Sequence, residues 1–214
     1  MMAELKRAAQ MKCTTGRQAC SCGYKPVKWE LRYQPHTKRE APTRTPLHVR
    51  CVSPTRTPAA EQAALDATYM LRAIELASTA SGKTYPNPAV GCVILDARGE
   101  VVGEGYHPKA GLPHAEVFAL RAAGDASKGG TAYVTLEPCD HYGRTPPCSR
   151  ALVAAGVSRV VVGMVDPDKR VNGGGIQTLR DNGIEVVVGV EEQACRALNE
   201  DFIQRVMAQS GNLD

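Results

Sequence analysis

Apolar positions hardly repeat before Ala59 and repeat with changing period after it. Glu61 to Thr79 places Leu65, Tyr69, Ile74 and Leu76 near one face with alanines between, which predicts an amphipathic helix stopped by Ser81-Gly82. Val90 to Leu95 is a continuous apolar run, the mark of a buried strand. Asp96-Ala97-Arg98-Gly99 then turns the chain into Glu100 to Tyr106, and strands this close predict a hairpin. His114 to Ala123 has a helical pattern, Thr131 to Leu136 a strand pattern. Pro146-Pro147 starts a helix to about Ala155, since proline suits the first helical position. Strands at Arg159–Met164 and Glu185–Val188 flank a helix at Gly175–Asp181, and Glu191 to Val206 reads as one closing helix. Strands alternating with helices after a hairpin predict an α/β layered domain on a mixed five-stranded sheet, without internal repeats.

Residues 1–58 are different in kind. Pro26, Pro35, Pro42, Pro46, Pro54 and Pro58 interrupt any regular element. Residues 1–60 carry 12 Lys and Arg against three acids, a net of +9, whereas 61–214 carry 14 against 19, a net of −5. A basic, Thr-rich, acid-poor segment reads as a disordered organelle transit peptide, and Val49-Arg50-Cys51-Val52 loosely resembles a plastid processing site. A basic arm with no address is the alternative. Cys20-Ser21-Cys22 has no partner pair and reads as incidental. The acidic remainder argues against broad binding to nucleic acid. No run of about 18 apolar residues occurs, so no membrane span is expected. The domain division is therefore 1–58, a folded domain over 59–207, and a tail over 208–214.

Candidate chemistry gathers in Pro113-His114-Ala115-Glu116 and in the stretch Glu137 to Cys148. His114, Cys139 and Cys148 together offer one nitrogen and two thiolates, a donor set for a single zinc ion that leaves a fourth position open. Glu116 lies close enough to act on a water there without being a ligand. His114 and Cys148 each fall in the first turn of an expected helix, where the partial positive charge favours thiolate. Taken singly, each has a duller reading: a capping histidine, a first-turn glutamate, buried thiols. Cys92 in an apolar strand and Cys195 on a helix read as packing residues.

The order His-x-Glu, then Pro-Cys and a second Cys, resembles the zinc nucleobase deaminases. More narrowly, Thr84 to Gly91, Gly103 to His107, His114-Ala115-Glu116, the Glu137–Cys148 block and Val161 to Pro167 resemble the pyrimidine deaminase of riboflavin biosynthesis, over roughly Glu61 to Met207. The long stretch between the two cysteines is specific, since other nucleotide deaminases generally have Pro-Cys-x-x-Cys. The resemblance implies a three-layer cytidine-deaminase-like domain. It implies hydrolysis of 2,5-diamino-6-ribosylamino-4(3H)-pyrimidinone 5′-phosphate to the aminouracil plus ammonia. His114, Cys139 and Cys148 would hold zinc and Glu116 would shuttle protons. Asn87, His107 and His141 would hold pyrimidine and ribose, and Arg144 the phosphate. Relatives often pair subunits, so a homodimer is one expectation.

Asp140 stands where that family usually has serine, and Asp168 to Gly175 departs from the usual Asn-Pro-rich loop. Bacterial relatives carry a reductase domain after the deaminase, for which no room remains before Asp214, so a separate reductase is expected to act next. Deamination of another nucleotide or of RNA, and a non-catalytic zinc scaffold, are the competing readings.

Overall fold

The computed structural model describes residues 57–142, 146–168 and 173–210. The expected transit segment, Cys20-Ser21-Cys22, Arg144 and much of the divergent loop after Asp168 lie outside the described residues.

Helix α1 (Pro58–Ser78) begins where Thr57 accepts the Ala60 N–H on its hydroxyl, with Pro58 at the first helical position. Pro58 thus opens the folded part instead of interrupting the segment before it. The fully buried positions of α1 are Asp66, Met70, Ala73 and Ala77, while Tyr69, Ile74 and Leu76 of the expected face are half-buried and pack against the same core. Leu65 is about half exposed. Ala73 and Ala77 go deepest because of close approach: a Cβ on Gly91 would lie 1.9 Å from the Ala73 carbonyl oxygen, so helix and strand meet through alanine and glycine.

Strand β1 (Gly91–Leu95) pairs antiparallel with β2 (Val101–Tyr106), as the hairpin reading expected. Asp96 closes the turn by accepting the Arg98 and Glu100 N–H groups, and Gly99 supplies its positive φ of 86°. β1 also pairs antiparallel with β3 (Thr131–Leu136), while β4 (Arg159–Met164) and β5 (Glu185–Val188) continue in parallel, giving the order β2-β1-β3-β4-β5. The remaining helices are α2 (Ala115–Ala123), α3 (Cys148–Ala155), α4 (Gly174–Asp181), α5 (Glu192–Leu198) and α6 (Glu200–Ser210).

Alternation along the strands separates two cores. Cys92, Ile94, Val134 and Val162 face α2, α3 and α4, while Val93, Tyr133 and Val161 face α1, α5 and α6. The result is the expected three-layer arrangement. A buried ion pair fastens one end of it: Arg159 grips Asp66 through two N–H groups at 2.8 Å, and the Tyr133 hydroxyl donates to the same carboxylate.

The single closing helix of the sequence reading is two helices. Between them, the buried Asn199 side chain accepts from the Ala89 N–H at 2.8 Å and donates to the Ala89 carbonyl at 2.9 Å. A residue fixed to a strand-leading loop on both edges of its amide breaks the helix there.

Candidate metal centre and active site

Two helix starts and one strand end meet on one side of the sheet. His114 is the N-cap of α2 with extended backbone (φ −73°, ψ 165°), one position earlier than the first helical turn expected from the sequence. Cys148 is the first residue of α3, and Cys139 follows β3 by a short Glu137-Pro138 step. The placement of α2 depends on β2, because a Cβ on Gly103 or Gly105 would lie 2.2 or 2.4 Å from the carbonyl oxygens of Ala119 or Ala115. Glycine at alternate positions lets the helix lie directly on the strand.

His114 Nδ1 is 3.6 Å from Cys139 Sγ and 3.4 Å from Cys148 Sγ, and the three donor atoms all lie within 4.8 Å of one another. Tetrahedral zinc with Zn–S of about 2.3 Å and Zn–N of about 2.0–2.1 Å requires S···N separations of about 3.6 Å. The donor set therefore fits a zinc ion without rearrangement. The Cys148 N–H also points at Cys139 Sγ at 3.5 Å. Hydrogen bonding from the Cys148 side chain, with help from His114, pushes the Cys139 thiol well down toward thiolate, and the same pairing, with burial, pushes Cys148 up. The Cys139 contact also raises the pKa of His114.

Glu116 is buried in the first turn of α2, and its Oε2 has no hydrogen-bond partner among the described residues. Burial pushes its carboxyl up to about 7. An orphaned buried carboxylate oxygen beside three convergent metal donors is what a site needs if a water and a polar substrate are to complete it.

His114, Cys139 and Glu116 line a cavity of about 290 Å³. Asn87, His107 and His141, for which the resemblance implied substrate contacts, line it too. His107 is buried, and burial lowers its pKa. Its Nδ1–H donates to the Pro113 carbonyl at 3.0 Å, since a carbonyl can only accept; Nε2 then receives the Asn87 amide N–H at 3.0 Å. His107 thus reads out Asn87 on one side and steadies the residue before His114 on the other.

Besides the apolar Pro88, Val90 and Leu136, four lining residues carried no site role in the sequence reading: Glu137, Asp166, Asp168 and Phe202. Glu137 was visible only as part of the motif block. Its buried carboxylate accepts four backbone N–H groups, from Asp166, Gly173, Gly175 and Ile176 at 3.0–3.3 Å. It so holds the loop that carries Asp166 and Asp168, together with the start of α4. A Cβ on Gly175 would lie 1.8 Å from the Pro138 oxygen, so that helix start sits directly on the ligand-bearing turn. Burial raises the Asp166 carboxyl. Phe202 arrives from α6, which nothing local to the motif announces.

Residues 63–164 match the family described as the cytidine and deoxycytidylate deaminase zinc-binding region. The chain is 58% identical over 142 residues to the riboflavin biosynthesis protein PYRD, chloroplastic, of Arabidopsis thaliana, covering 66% of this chain and 33% of that protein. It is 48% identical over 141 residues to the diaminohydroxyphosphoribosylamino-pyrimidine deaminase of Buchnera aphidicola, covering 66% of this chain and 95% of that one. Among solved structures, RibD of Acinetobacter baumannii (form 2) superposes with a TM-score of 0.66 at 53% identity, over 68% of this chain and 41% of that chain. The chain thus spans only a third of the plant protein's length and about two fifths of RibD.

Proposed function

We propose a function from one premise: this chain belongs to the family of zinc-binding deaminases that includes the diaminohydroxyphosphoribosylaminopyrimidine deaminases. The proposed reaction is hydrolytic deamination of 2,5-diamino-6-ribosylamino-4(3H)-pyrimidinone 5′-phosphate to 5-amino-6-ribosylaminouracil 5′-phosphate and ammonia. The observation that carries it is the buried Glu116 Oε2, without a hydrogen-bond partner among the described residues, in the cavity lined by His114 and Cys139, with Cys148 completing their donor cluster.

His114, Cys139 and Cys148 would hold one zinc per chain. When bound, the ion supplies Lewis acidity that makes water a nucleophile near neutral pH. Glu116 takes a proton from the water as its oxygen attacks the amine-bearing ring carbon. The same carboxyl passes that proton to the adjacent ring nitrogen. It then takes the remaining proton of the added hydroxyl and delivers it to the exocyclic amine; the C–N bond breaks as the carbonyl forms, and ammonia leaves. A carboxyl raised to about 7 can give and accept a proton at working pH. Asn87, oriented by His107, presents its amide to the pyrimidine, and His141 at the exposed mouth meets the ribose. Arg144 is proposed for the phosphate. The burial of Glu116 keeps bulk water from competing at the carboxylate.

Residues 59–207 form the proposed catalytic unit, and residues 1–58 the proposed plastid address, in keeping with the chloroplastic naming of the plant relatives. A fluorescent fusion of residues 1–58 that stays in the cytosol refutes the address. The reductive step that follows would fall to a separate reductase, and sedimentation tests the proposed homodimer. The deciding experiment is ammonia release by zinc-loaded protein. Turnover of the pyrimidinone phosphate with none of cytidine, deoxycytidylate or RNA is the expected result; the reverse preference overturns the substrate assignment.

A further inference from the structure

The motif residue that departs from family expectation, Asp140, is adjacent in sequence to one sulfur ligand, and its carboxylate reaches the neighbour of the other. Ser149 Oγ–H donates to Asp140 Oδ1 at 2.5 Å, and Ser149 directly follows Cys148. The second oxygen, Oδ2, accepts from the Thr178 hydroxyl of α4 at 2.9 Å. The Ser149 backbone N–H bonds the Cys139 carbonyl at 3.2 Å, so side chain and main chain tie the same two turns. On the other side of Cys139, the Glu137 carboxylate grips the start of α4 through Gly175 and Ile176.

We propose that Asp140 is a positioning residue for the metal centre, a brace that fixes Cys139 and Cys148 against α3 and α4 so that both sulfurs are in place before an ion arrives. This rests on the zinc-site reading above. The physical need is clear from the chain. Eight residues separate the two cysteines, and ordering that loop at the moment of binding would cost conformational entropy. The Asp140–Ser149 bond joins the two ends of that stretch and so meets part of the closure cost in advance. A carboxylate serves where a serine would not, because its two oxygens accept from two helices at once, whereas a hydroxyl has one oxygen and a shorter reach. Ser149 lies in the first turn of α3, where a negative charge is favoured, and this offsets the cost of placing it next to a thiolate ligand.

The test measures zinc affinity by competition with a chromophoric chelator, alongside the thermal midpoint of the metal-free and the zinc-loaded full chain. D140A is expected to bind zinc about 10- to 100-fold more weakly, the range found when partners of metal ligands are removed. S149A removes the same bond from the helix side and should lose a similar factor; the double variant should lose no more than either alone. D140N keeps an oxygen for Ser149, and its amide N–H can donate to Thr178, so it should bind close to the wild type. If D140A does not fold, S149A and D140N decide the matter. An affinity unchanged in both D140A and S149A, with metal-free and zinc-loaded midpoints falling together, overturns the proposal by showing a role in the fold alone. Equal loss in D140N and D140A also overturns it. A wild-type chain that takes up no zinc overturns both this proposal and the zinc-site reading beneath it.

Discussion

Gly105→Ala puts the smallest possible wedge under the helix that carries His114. The added Cβ would lie 2.4 Å from the Ala115 carbonyl oxygen and 2.6 Å from the Ala119 nitrogen, both backbone atoms of α2. Non-bonded Cβ contacts below 3.0 Å are essentially never found, so strand and helix must part by at least 0.6 Å. Ala115 is the residue after His114, and zinc sites tolerate ligand displacements of only about 0.2 Å. Overpacking of this kind costs about 1–3 kcal/mol, and alanine in place of glycine returns about 0.4–1 kcal/mol through the unfolded state. A net loss of about 1–2 kcal/mol is expected from urea unfolding of the metal-free protein. Zinc affinity by chelator competition should fall at least about tenfold, in line with other disturbances around metal ligands. Gly91→Ala is the matched control. It adds a worse overlap, 1.9 Å from the Ala73 oxygen, on the neighbouring strand but against α1, across the sheet from the metal donors. It should destabilise at least as much and leave zinc affinity nearly intact. Equal zinc loss in both variants, or none in Gly105→Ala despite its instability, refutes the idea that the glycines of β2 set the position of His114.

Glu116→Gln should lower turnover at least about 1,000-fold in an ammonia-release assay while retaining zinc, because a general acid–base group contributes about 100- to 10,000-fold per step and this one serves several; loss of metal would instead mark it as a ligand. Glu137→Ala leaves four backbone N–H groups without their acceptor, at about 1–3 kcal/mol for each left unsatisfied, so unfolding midpoint and substrate KM should both shift, and an unchanged KM would detach the Asp166–Asp168 loop from substrate binding. Arg144→Gln should raise KM for the phosphorylated substrate with little change in kcat; an equal KM for the dephosphorylated substrate in wild type and variant is part of the same expectation. Asp66 titrates against burial, which raises its pKa, but the Arg159, Gln62 and Tyr133 hydrogen bonds together leave it lowered. A depressed carboxylate contributes stability above its ordinary value of about 3.9 that disappears as pH falls through the folded value, so Asp66→Asn should flatten the acid side of the stability profile.

Much of this architecture was legible because its strands are short apolar runs between turn residues. Thr131–Leu136, Arg159–Met164 and Glu185–Val188 fall where the pattern placed them. The inner face of α1 was legible in part: Tyr69, Ile74 and Leu76 pack against the core, but Ala73 and Ala77 go deepest so that Gly91 can approach, and Leu65 stays half exposed. One helix was read through Asn199 although the stretch from Asn199 to Ile203 is linker-like, and the cause of the break, Ala89, lies 110 residues away. His114, Cys139 and Cys148 could be singled out because one nitrogen and two thiolates make a zinc donor set, and their order with Glu116 resembles the zinc nucleobase deaminases. Glu137 could not, because its partners are main-chain N–H groups of a distant loop, and any sequence supplies those.

The Asn199–Ala89 tie also bears on how this unit can be cut and joined. Asn87 and Phe202 line the same cavity, yet they lie at opposite ends of the motif-bearing stretch. Asn199 joins the loop after Asn87 to the start of the helix that brings Phe202. A shortened version that stops at the last strand, near Val188, would keep every proposed metal donor and the acid–base carboxylate but lose one wall of the cavity. Such a fragment could hold an ion and still fail to hold a substrate. Fusion partners are therefore better joined beyond α6 than at the α5–α6 break, where a natural-looking linker conceals a structural seam.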